Sequence, residues 1–483
     1  MEFKEIYKKI TSITDDSRKC TSGSMFIAVT GAEADGHNYI VKAIENGATH
    51  VVCEHIPSQA KEFAQQQNKD VEFIIVKESR KAVAQIASEY YNNPSGSINL
   101  IGVTGTNGKT SIATLLYNTF TKLGYNCGLL STIANYVGEK MYPTVNTTPG
   151  PIELNRLLAQ MVEEGCEYCF MEVSSHALDQ ERVGCINFKG AVFTNLTHDH
   201  LDYHKSFANY LKCKKKLFDT LGKDAFALVN IDDKNGEVMV QNTAAKVYRF
   251  SCRNWADFRV KILEKTIEGM LLQINNKEVW CRFIGTYNAS NLTAVYATAI
   301  LLGAKEEEVI TVLSELTSVA GRLEYFKGED DIIAAVDYAH TPDALENVLT
   351  TLKELDCSGD LICVFGCGGN RDKTKRPQMG VIAAKYASRV IVTSDNPRNE
   401  NPEEIIADIK AGMDIKARAK SLFITNREEA INTAILTAKP GSIILVAGKG
   451  HEDYQIINGV KHHFDDKEKI KEAFQMLVES KKQ

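Results

Sequence analysis

The sequence lacks a long apolar segment. No run of about 18 or more apolar residues, the length that a membrane-spanning helix needs, occurs in the 483 residues. The opening stretch "MEFKEIYKKITSITDDSRK" also lacks the apolar region of a secretory signal peptide. We therefore expect a cytoplasmic protein that makes no membrane contact.

The sequence also lacks a strong charge of either sign. Lysine and arginine number 56 against 62 aspartate and glutamate residues, so the formal net charge is -6 and the pI is near 6.1. Proteins that bind nucleic acid usually carry a basic surface, and this balance provides no general attraction to polyanions. We expect no nucleic-acid partner.

The 12 cysteines lack the spacing of a disulfide framework. A reducing compartment would keep them as thiols. Cys166 and Cys169 form a CxxC pair, but no second pair completes a structural zinc site. Internal repeats and low-complexity segments are also absent, and the chain is too long for one hydrophobic core.

Alternating strand-like and helix-like segments predict an α/β protein of three domains. In residues 1–97, "SMFIAV", "ATHVVCEH" and "EFIIVK" alternate with helix-like "YIVKAIENG", and "YYNNPSGS" is typical of a linker. In residues 98–325, "INLIGVTG", "EYCFMEVSS" and "GAVFTNL" predict a mostly parallel sheet. In residues 326–483, "DIIAAVDYA", "GDLICVFGCGG", "ASRVIVTSDN" and "GSIILVAGKG" are apolar strands that end in polar or glycine-rich turns, which predicts a Rossmann-like domain with ligands at the carboxyl ends of its strands.

The stretch "GVTGTNGKTS" predicts a phosphate-binding P-loop in the central domain. A strand, a glycine-rich loop and a helix would place backbone N–H groups and a helix N-terminus around a phosphate chain. The Lys109 amine would reach the β and γ phosphates, and the Thr110 hydroxyl would bind Mg²⁺. The strict G-x-x-x-x-G-K-[ST] spacing is not met, because Val103 stands in the place of the first glycine. The residues expected around the nucleotide here are Gly105, Thr106, Asn107, Gly108, Lys109, Thr110 and Ser111.

Two further motifs, "FMEVSSHALDQERV" and "FTNLTHDHLDYHKSF", each include a strand end at which metal ligands could stand. Three histidines in the second motif, His198, His200 and His204, are compatible with zinc. Their spacing is not that of a helical HExxH site, and hard oxygen ligands together with a nucleoside triphosphate favour Mg²⁺.

The stretch "NYLKCKKKLFD" (209–219) places four lysines within five positions. A solvated helix face is the ordinary interpretation, and nucleic-acid contact is the second. A third interpretation depends on the motif just before it.

Taken in order, these motifs resemble those of the Mur ligases. The resemblance is carried by "GTNGKT", "MEVSSHALDQERV", "TNLTHDHLDYH", "YNASN", "GRLE", "DYAHTPDAL", "GCGGNRDKTKRP", "SDNPR" and "GKGHEDYQ", with "DDSRK" near the start. It covers nearly the whole chain. It implies a cytoplasmic enzyme of peptidoglycan precursor synthesis that uses ATP and Mg²⁺.

The resemblance implies ligation through an acyl phosphate. ATP would phosphorylate the D-glutamate γ-carboxylate of UDP-N-acetylmuramoyl-L-Ala-D-Glu, and an incoming amino group would displace the phosphate. Thr110 and Glu172 would hold one Mg²⁺; His200 and Lys214, carbamylated to N6-carboxylysine, would hold a second. Lys109, Lys214 and His200 would be the catalytic residues. Further nucleotide contacts would come from Asn288, Asn291, Arg322 and Asp337.

Carbamylation requires a neutral amine, and like-charged neighbours disfavour an ammonium. We therefore expect Lys212, Lys215 and Lys216 to help lower the pKa of Lys214, with a merely solvated role as an equal alternative for each of these three neighbours.

The resemblance also implies the binding residues of the other two substrates. Those expected to contact the UDP-linked substrate are Ser17, Thr147, Thr148, Ser174, Gln180 and Arg182. Those expected to contact the amino acid are Arg371, Asp395, Asn396, Pro397, Arg398, Gly448 and Glu452. The arginine of "DNPR" is similar to that of the ligases that add meso-2,6-diaminopimelate, whose second carboxylate a guanidinium can hold in a bidentate pair.

Three alternatives remain. A lysine-adding ligase of the same family would share the ATP motifs, and a folylpolyglutamate synthase-like ligase would share the P-loop and the carbamylated lysine. A nucleotide-sensing module without catalysis would need no acceptor site. An NAD-binding role for "GCGGNRD" is disfavoured, because Arg371 stands where G-x-G-x-x-G needs its third glycine. We expect a monomer.

Overall fold

The computed structural model describes residues 3–31, 34–67, 69–144, 146–355 and 357–482. It contains three large sheets and one separate hairpin. Among the described residues, none of the helices combines the length and the apolar character that crossing a membrane requires.

The first sheet is parallel and has the order β1-β2-β3-β4. Its strands are β1 (Ser12–Thr14), β2 (Ser24–Ile27), β3 (Ala48–Cys53) and β4 (Glu72–Ile75). The helices of this part are α1 (Lys4–Tyr7), α2 (Ile40–Glu45), α3 (Ser58–Gln66) and α4 (Ser79–Tyr90). Both faces of the sheet are covered, because Met25 and Ile27 point into one buried cluster and Phe26 points into the other.

The central sheet has eleven strands in the order β15-β14-β13-β12-β11-β10-β5-β9-β6-β7-β8. The strands are β5 (Asn99–Thr104), β6 (Cys127–Leu130), β7 (Asn135–Val137), β8 (Lys140–Tyr142), β9 (Tyr168–Glu172), β10 (Gly190–Phe193), β11 (Phe226–Asn230), β12 (Lys246–Ser251), β13 (Phe258–Thr266), β14 (Gly269–Ile274) and β15 (Lys277–Cys281). The helices are α5 (Lys109–Lys122), α6 (Pro151–Glu163), α7 (Ser175–Asp179), α8 (Leu201–His204), α9 (Phe207–Asp219), α10 (Gly236–Met239), α11 (Thr286–Leu301) and α12 (Glu306–Glu315).

The middle of this sheet is parallel, as predicted, and it is buried on both sides. Ile101 and Val103 of β5 face one core, and Leu100 faces the other, which explains why the strand reads as an unbroken apolar run. The two ends of the sheet are antiparallel, through β13-β14-β15 on one side and β6-β7-β8 on the other. The sequence analysis did not anticipate these antiparallel ends.

The third sheet has the order β16-β17-β21-β18-β19-β20, and β16 is antiparallel to its neighbour. Its strands are β16 (Glu324–Lys327), β17 (Ile333–Asp337), β18 (Leu361–Phe365), β19 (Arg389–Val392), β20 (Ser421–Phe423) and β21 (Ile443–Ala447), and the hairpin strands are β22 (Tyr454–Ile457) and β23 (Val460–His463). The helices are α13 (Pro342–Lys353), α14 (Lys375–Tyr386), α15 (Pro402–Ala411), α16 (Ile415–Ala419), α17 (Arg427–Leu436) and α18 (Asp466–Lys482).

The two larger sheets bring the predicted motifs together. In the central sheet, β10, β5 and β9 are neighbours, so the segments that follow their carboxyl ends meet at one edge. In the third sheet, β17, β21, β18 and β19 are neighbours and do the same. The predicted α/β fold class is therefore confirmed, and the sites are to be sought at these two edges.

Candidate active site

The P-loop lies between β5 and α5, where the sequence placed it. Gly108 has a left-handed backbone (φ +91°), and a Cβ there would come within 2.8 Å of the Asn291 Oδ1 atom, so glycine is needed at this position. The Asn107 N–H donates to Asn195 Oδ1 at 2.9 Å. The loop is thus held against the carboxyl end of β10 and against α11, with the N-terminus of α5 behind it. This arrangement suits a phosphate chain.

Two lysine amines meet at one carbonyl oxygen of this loop. The Lys109 Nζ donates to the Gly105 oxygen at 3.0 Å, and the Lys214 Nζ donates to the same oxygen at 2.8 Å. Lys214 is 1% exposed. Burial lowers the pKa of Lys214 well below its ordinary value, and the neighbouring Lys109 ammonium lowers it further. The Lys214 amine is therefore held in an environment that favours its neutral form.

The expectation that the adjacent lysines lower the pKa of Lys214 is wrong. Lys212 is exposed on the outer side of α9. Lys215 forms an ion pair with Asp219, and Lys216 lies 3.4 Å from Glu181. The cation that acts on Lys214 is Lys109, because the helix turns its other lysines away from the buried site.

Oxygen ligands suited to Mg²⁺ stand beside the P-loop. The Thr110 hydroxyl donates to Glu172 Oε2 at 3.0 Å, and the Thr132 N–H donates to Glu172 Oε1 at 2.7 Å. Glu172 is buried at the carboxyl end of β9. A hydroxyl and a carboxylate are hard ligands of the kind that Mg²⁺ takes, so these residues fit that ion.

The zinc alternative finds no support among the residues that the structure describes. They contain no cluster of three or more histidine, cysteine, aspartate or glutamate side chains arranged to hold a metal. The His204 Nε2 contacts the Ser175 hydroxyl at 2.9 Å, and the His198 Nε2 lies 3.4 Å from Asp372. The three histidines of this motif therefore do not converge on one point.

Asp199, which the sequence analysis did not single out, is a second buried acidic residue of this site, beside Glu172. Burial alone would raise the pKa of its carboxyl, but His200, His340, Lys375 and Lys109 surround it and lower that pKa to about 2. Burial lowers the pKa of His200 to about 3, although Asp199 opposes this. At neutral pH the pair is therefore a carboxylate beside a neutral imidazole, and a neutral imidazole can act as a metal ligand. The sequence signal was the acid inside "THDH".

The nucleotide-contact candidates of the later motifs lie close to the P-loop. The Arg322 Nη2 donates to the Thr110 hydroxyl at 3.1 Å, and the Asn288 and Asn291 side chains are bonded to each other at 3.3 Å. Asp337 accepts from the N–H groups of Leu323 and Ala339, at 2.8 and 2.7 Å. Burial raises the pKa of Asp337 to about 6. Its carboxylate therefore fixes the chain segment that connects the central and third sheets.

Most of the residues expected to bind the UDP-linked substrate form a connected group. The Ser174 N–H donates to the Thr148 hydroxyl at 3.1 Å, the Arg182 Nη1 donates to the Thr148 carbonyl oxygen at 2.9 Å, and the Arg182 Nε donates to Gln180 at 3.0 Å. Thr147, the neighbour of Thr148 in the chain, accepts from the Thr132 hydroxyl at 3.1 Å. Ser17 lies apart: its carbonyl oxygen accepts from Asn46, and no hydrogen bond within the described part of the chain links it to this group.

The residues expected to contact the incoming amino acid, the acceptor substrate, converge at the carboxyl ends of β18, β19 and β21. Burial lowers the pKa of the Arg398 guanidinium, and nearby Arg371 acts in the same direction. The two side chains lie together at Gly368, where a Cβ would come within 2.9 Å of Arg398 Nη1 and 3.8 Å of Arg371 Cγ. Glu452 stands opposite: its Oε2 accepts from Asn396 Nδ2 at 2.7 Å. A Cβ at Gly448 would come within 2.5 Å of Asp395, so this side of the pocket requires glycine.

Lys449 was missed by the sequence analysis. Its side chain is fully buried, and its Nζ lies 3.3 Å from Asn396 Oδ1 and 3.4 Å from Glu452. Its amine therefore lies next to the Glu452 carboxylate. The sequence signal was the lysine within the glycine pair of "GKG", in the turn after β21.

The geometry agrees with comparisons to known proteins. Three family models match: Mur ligase family, catalytic domain (residues 9–91), Mur ligase middle domain (103–299) and Mur ligase, glutamate ligase domain (321–450). A UDP-N-acetylmuramoyl-L-alanyl-D-glutamate–2,6-diaminopimelate ligase of Bacteroides fragilis is 54% identical over 97% of this chain and 96% of its own.

Solved structures agree as well. One of a UDP-N-acetylmuramoyl-L-alanyl-D-glutamate–2,6-diaminopimelate ligase superposes with a TM-score of 0.66 at 31% identity, covering 97% of this chain and 95% of the other. A MurF ligase from Thermotoga maritima, solved in complex with ADP, superposes with a TM-score of 0.67 at 18% identity over 98% and 99% of the two chains, which is a likeness of fold alone. The chain belongs to the Mur ligase family.

Proposed function

We propose that the protein is an ATP-dependent ligase that joins meso-2,6-diaminopimelate to the D-glutamate γ-carboxylate of UDP-N-acetylmuramoyl-L-Ala-D-Glu, in cytoplasmic peptidoglycan precursor synthesis. Relatives of 54% identity carry the corresponding name. The observation that carries the acceptor assignment is the pair Arg398 and Arg371, which lie together at Gly368. Glu452 accepts a hydrogen bond from Asn396 of the same loop as Arg398. Two cations and a carboxylate match an amino acid with an extra carboxylate and an ammonium group.

The Arg398 guanidinium keeps donors for that extra carboxylate. Its Nη1 donates to the Gly369 carbonyl oxygen at 2.9 Å and lies 3.5 Å from the Asn396 oxygen. Among the described residues, the Nε and Nη2 groups make no hydrogen bond, so one edge of the planar fork remains for a ligand. Lysine has no carboxylate at this end and would leave that edge unpaired.

For phosphoryl transfer, the phosphates of ATP would lie in the P-loop and contact Lys109. Thr110 and Glu172 would hold Mg²⁺, and His200 and a carbamate on Lys214 would hold a second ion. Bound there, Mg²⁺ would neutralise the charge that builds up when a carboxylate attacks a phosphoryl group. The chain itself would orient the γ phosphate with Lys109 and the N-terminus of α5.

The carbamate would form on Lys214 by addition of CO₂ to its neutral amine. The neutral Nζ lone pair attacks the carbon of CO₂, one C–O π pair moves to oxygen, and a proton leaves the nitrogen for water. The product is an N-carboxylate with one negative charge. The shared Gly105 oxygen and the neighbouring Lys109 cation support this assignment, because both the neutral amine and the anionic product are favoured beside a fixed positive charge.

The three separate sheets support the assignment of a different substrate to each domain. We assign the UDP-linked substrate to residues 1–97 and the adjoining face of the central domain, ATP to the central domain, and the amino acid to the C-terminal domain. The boundary predicted between residues 325 and 326 falls inside β16, which pairs with β17, so we place it just before Glu324. We propose a monomer.

A phosphate-release assay tests the function. Purified protein with ATP and Mg²⁺ is supplied with the UDP-linked dipeptide and a panel of amino acids, each also omitted in turn. We expect phosphate only when the dipeptide and meso-2,6-diaminopimelate are both present. Preferred use of L-lysine would contradict the acceptor assignment while keeping the ligase. Activity on a folyl substrate with glutamate would replace the function altogether.

A further inference from the structure

The acceptor loop Asp395–Arg398 is held by the separate hairpin β22–β23. The Arg398 N–H donates to the Ile456 carbonyl oxygen at 2.9 Å, and the Asn458 N–H donates to the Arg398 carbonyl oxygen at 2.6 Å. Arg398 thereby pairs in parallel with Ile457, as a bridge added to the hairpin. The position of the Arg398 backbone is thus determined by a segment some sixty residues further along the chain.

Two side-chain contacts complete the attachment. The Gln455 Nε2 donates to the Asp395 carbonyl oxygen at 2.6 Å, and the Ile456 N–H donates to Asn396 Oδ1 at 2.9 Å. Because a backbone N–H can only donate, the second bond fixes the orientation of the Asn396 amide. Its Nδ2 is then directed at Glu452, at 2.7 Å. The hairpin therefore sets both sides of the acceptor pocket.

The loop needs this support because Arg398 is in a costly conformation. Its φ is +54°, in the left-handed region, which is unfavourable for a residue with a side chain. Such a backbone persists where the surroundings over-determine it. The left-handed turn directs the guanidinium back over Gly369, and relaxing it would move the guanidinium away from the pocket.

We propose that Gln455 is a positioning residue for acceptor selection, which acts by holding the Asp395 carbonyl and hence the Arg398 turn. This rests on the proposed function, since it concerns the same acceptor pocket. Gln455 is half-buried, so its loss leaves the hydrophobic core intact. The bond from its side-chain amide to the Asp395 carbonyl oxygen is the only side-chain hydrogen bond from the hairpin to Asp395 among the described residues.

Two substitutions test the proposal with kcat and KM for meso-2,6-diaminopimelate and L-lysine. Gln455→Ala removes the amide, and Gln455→Glu replaces the donor with an oxygen that repels the Asp395 carbonyl. We expect each to raise KM for diaminopimelate roughly 10-fold, the worth of one hydrogen bond of about 1.5 kcal/mol, and to lower the preference over lysine by a similar factor. KM for ATP and kcat at saturation should stay within about twofold.

The matched control is His462→Ala. His462 is the cross-strand neighbour of Gln455 in the hairpin, and its side chain is exposed. It should leave both constants unchanged. The double variant Gln455→Ala, Arg398→Ala should be hardly less selective than Arg398→Ala alone, because both residues act through one turn.

Three outcomes would overturn the proposal. Selectivity that persists in both Gln455 variants removes the positioning role. A fall in kcat and a rise in KM for ATP together with the loss for diaminopimelate would show a general structural role. A wild-type enzyme that uses lysine as readily as diaminopimelate would contradict the proposed function itself. The wild type is therefore measured before the variants, which separates this failure from a failure of the Gln455 proposal.

Discussion

Replacing Lys109 with methionine removes the cation beside Lys214 while keeping a side chain of similar length. The two nitrogen atoms lie 3.0 and 2.8 Å from the Gly105 oxygen. Their separation is therefore at most about 6 Å, and at an effective dielectric constant of about 20 their repulsion is roughly 3 kcal/mol, or about 100-fold in an equilibrium constant. Without Lys109, the Lys214 ammonium becomes easier to form and the carbamate loses a stabilising charge.

The assay is ¹³C NMR of protein equilibrated with labelled bicarbonate, which reports the carbamate directly and needs neither ATP nor Mg²⁺. At a fixed pH near 8, we expect the Lys109→Met variant to require roughly 100-fold more bicarbonate for half occupancy than wild type. Lys214→Met should show no carbamate signal and identifies the site.

The control is Lys212→Met, on the exposed side of α9. It should carbamylate like wild type, because the pKa of Lys214 depends on burial and on Lys109. Wild-type carbamate occupancy in Lys109→Met, or a large loss of the carbamate in Lys212→Met, would refute the role of Lys109. The second result would show instead that the neighbouring lysines of residues 212–216 lower the pKa of Lys214.

Four further predictions follow from the site. Arg398→Ala should lower the preference for meso-2,6-diaminopimelate over L-lysine about 10- to 100-fold, because a charged hydrogen bond contributes roughly 1.5–3 kcal/mol. The preference is measured as kcat/KM for both amino acids, with Arg418→Ala on exposed α16 as the control. An unchanged preference in Arg398→Ala would contradict the prediction. Lys109→Ala should lower single-turnover phosphoryl transfer by several orders of magnitude; normal turnover would make the P-loop a structural turn. Glu172→Gln should raise the Mg²⁺ concentration for half-maximal activity by roughly 10-fold or more, since a charged ligand is lost; exposed Glu163→Gln should not, and an unaltered Mg²⁺ titration would exclude Glu172 as a ligand. Burial and Lys375 lower the pKa of His340 to about 4, so between about pH 4 and 6.5 the unfolded state binds a proton that the folded state does not. The free energy of unfolding should therefore fall by at most about 3 kcal/mol as the pH drops through that window. Urea unfolding of wild type and His340→Gln over this pH range checks this, and an equal dependence of the unfolding free energy on pH in the two proteins would disprove it.

Local sequence predicted the parts of the fold that depend on short-range patterns. The unbroken apolar runs at β5, β9 and β10 and the glycine-rich turn before α5 were recognisable, because a parallel strand is buried on both faces and a left-handed backbone at Gly108 selects glycine. The antiparallel ends of the central sheet were not, since the alternation of buried residues in β14, such as Met270, Leu272 and Ile274, does not by itself say which strands pair.

The chemistry of individual groups was decided by contacts between distant segments. Lysines next to Lys214 in sequence point elsewhere on α9, whereas Lys109, more than one hundred positions earlier, shares its carbonyl partner. Burial raises the pKa of Asp199, whereas His200 next to it and His340 and Lys375 of the C-terminal part lower it. The motif "DNPR" identified Arg398 as a candidate, but its backbone is held by hydrogen bonds to the hairpin that follows β21. Residue types and their order along the chain indicate which groups are available; burial and neighbouring charges, which exist only after folding, determine their protonation and orientation.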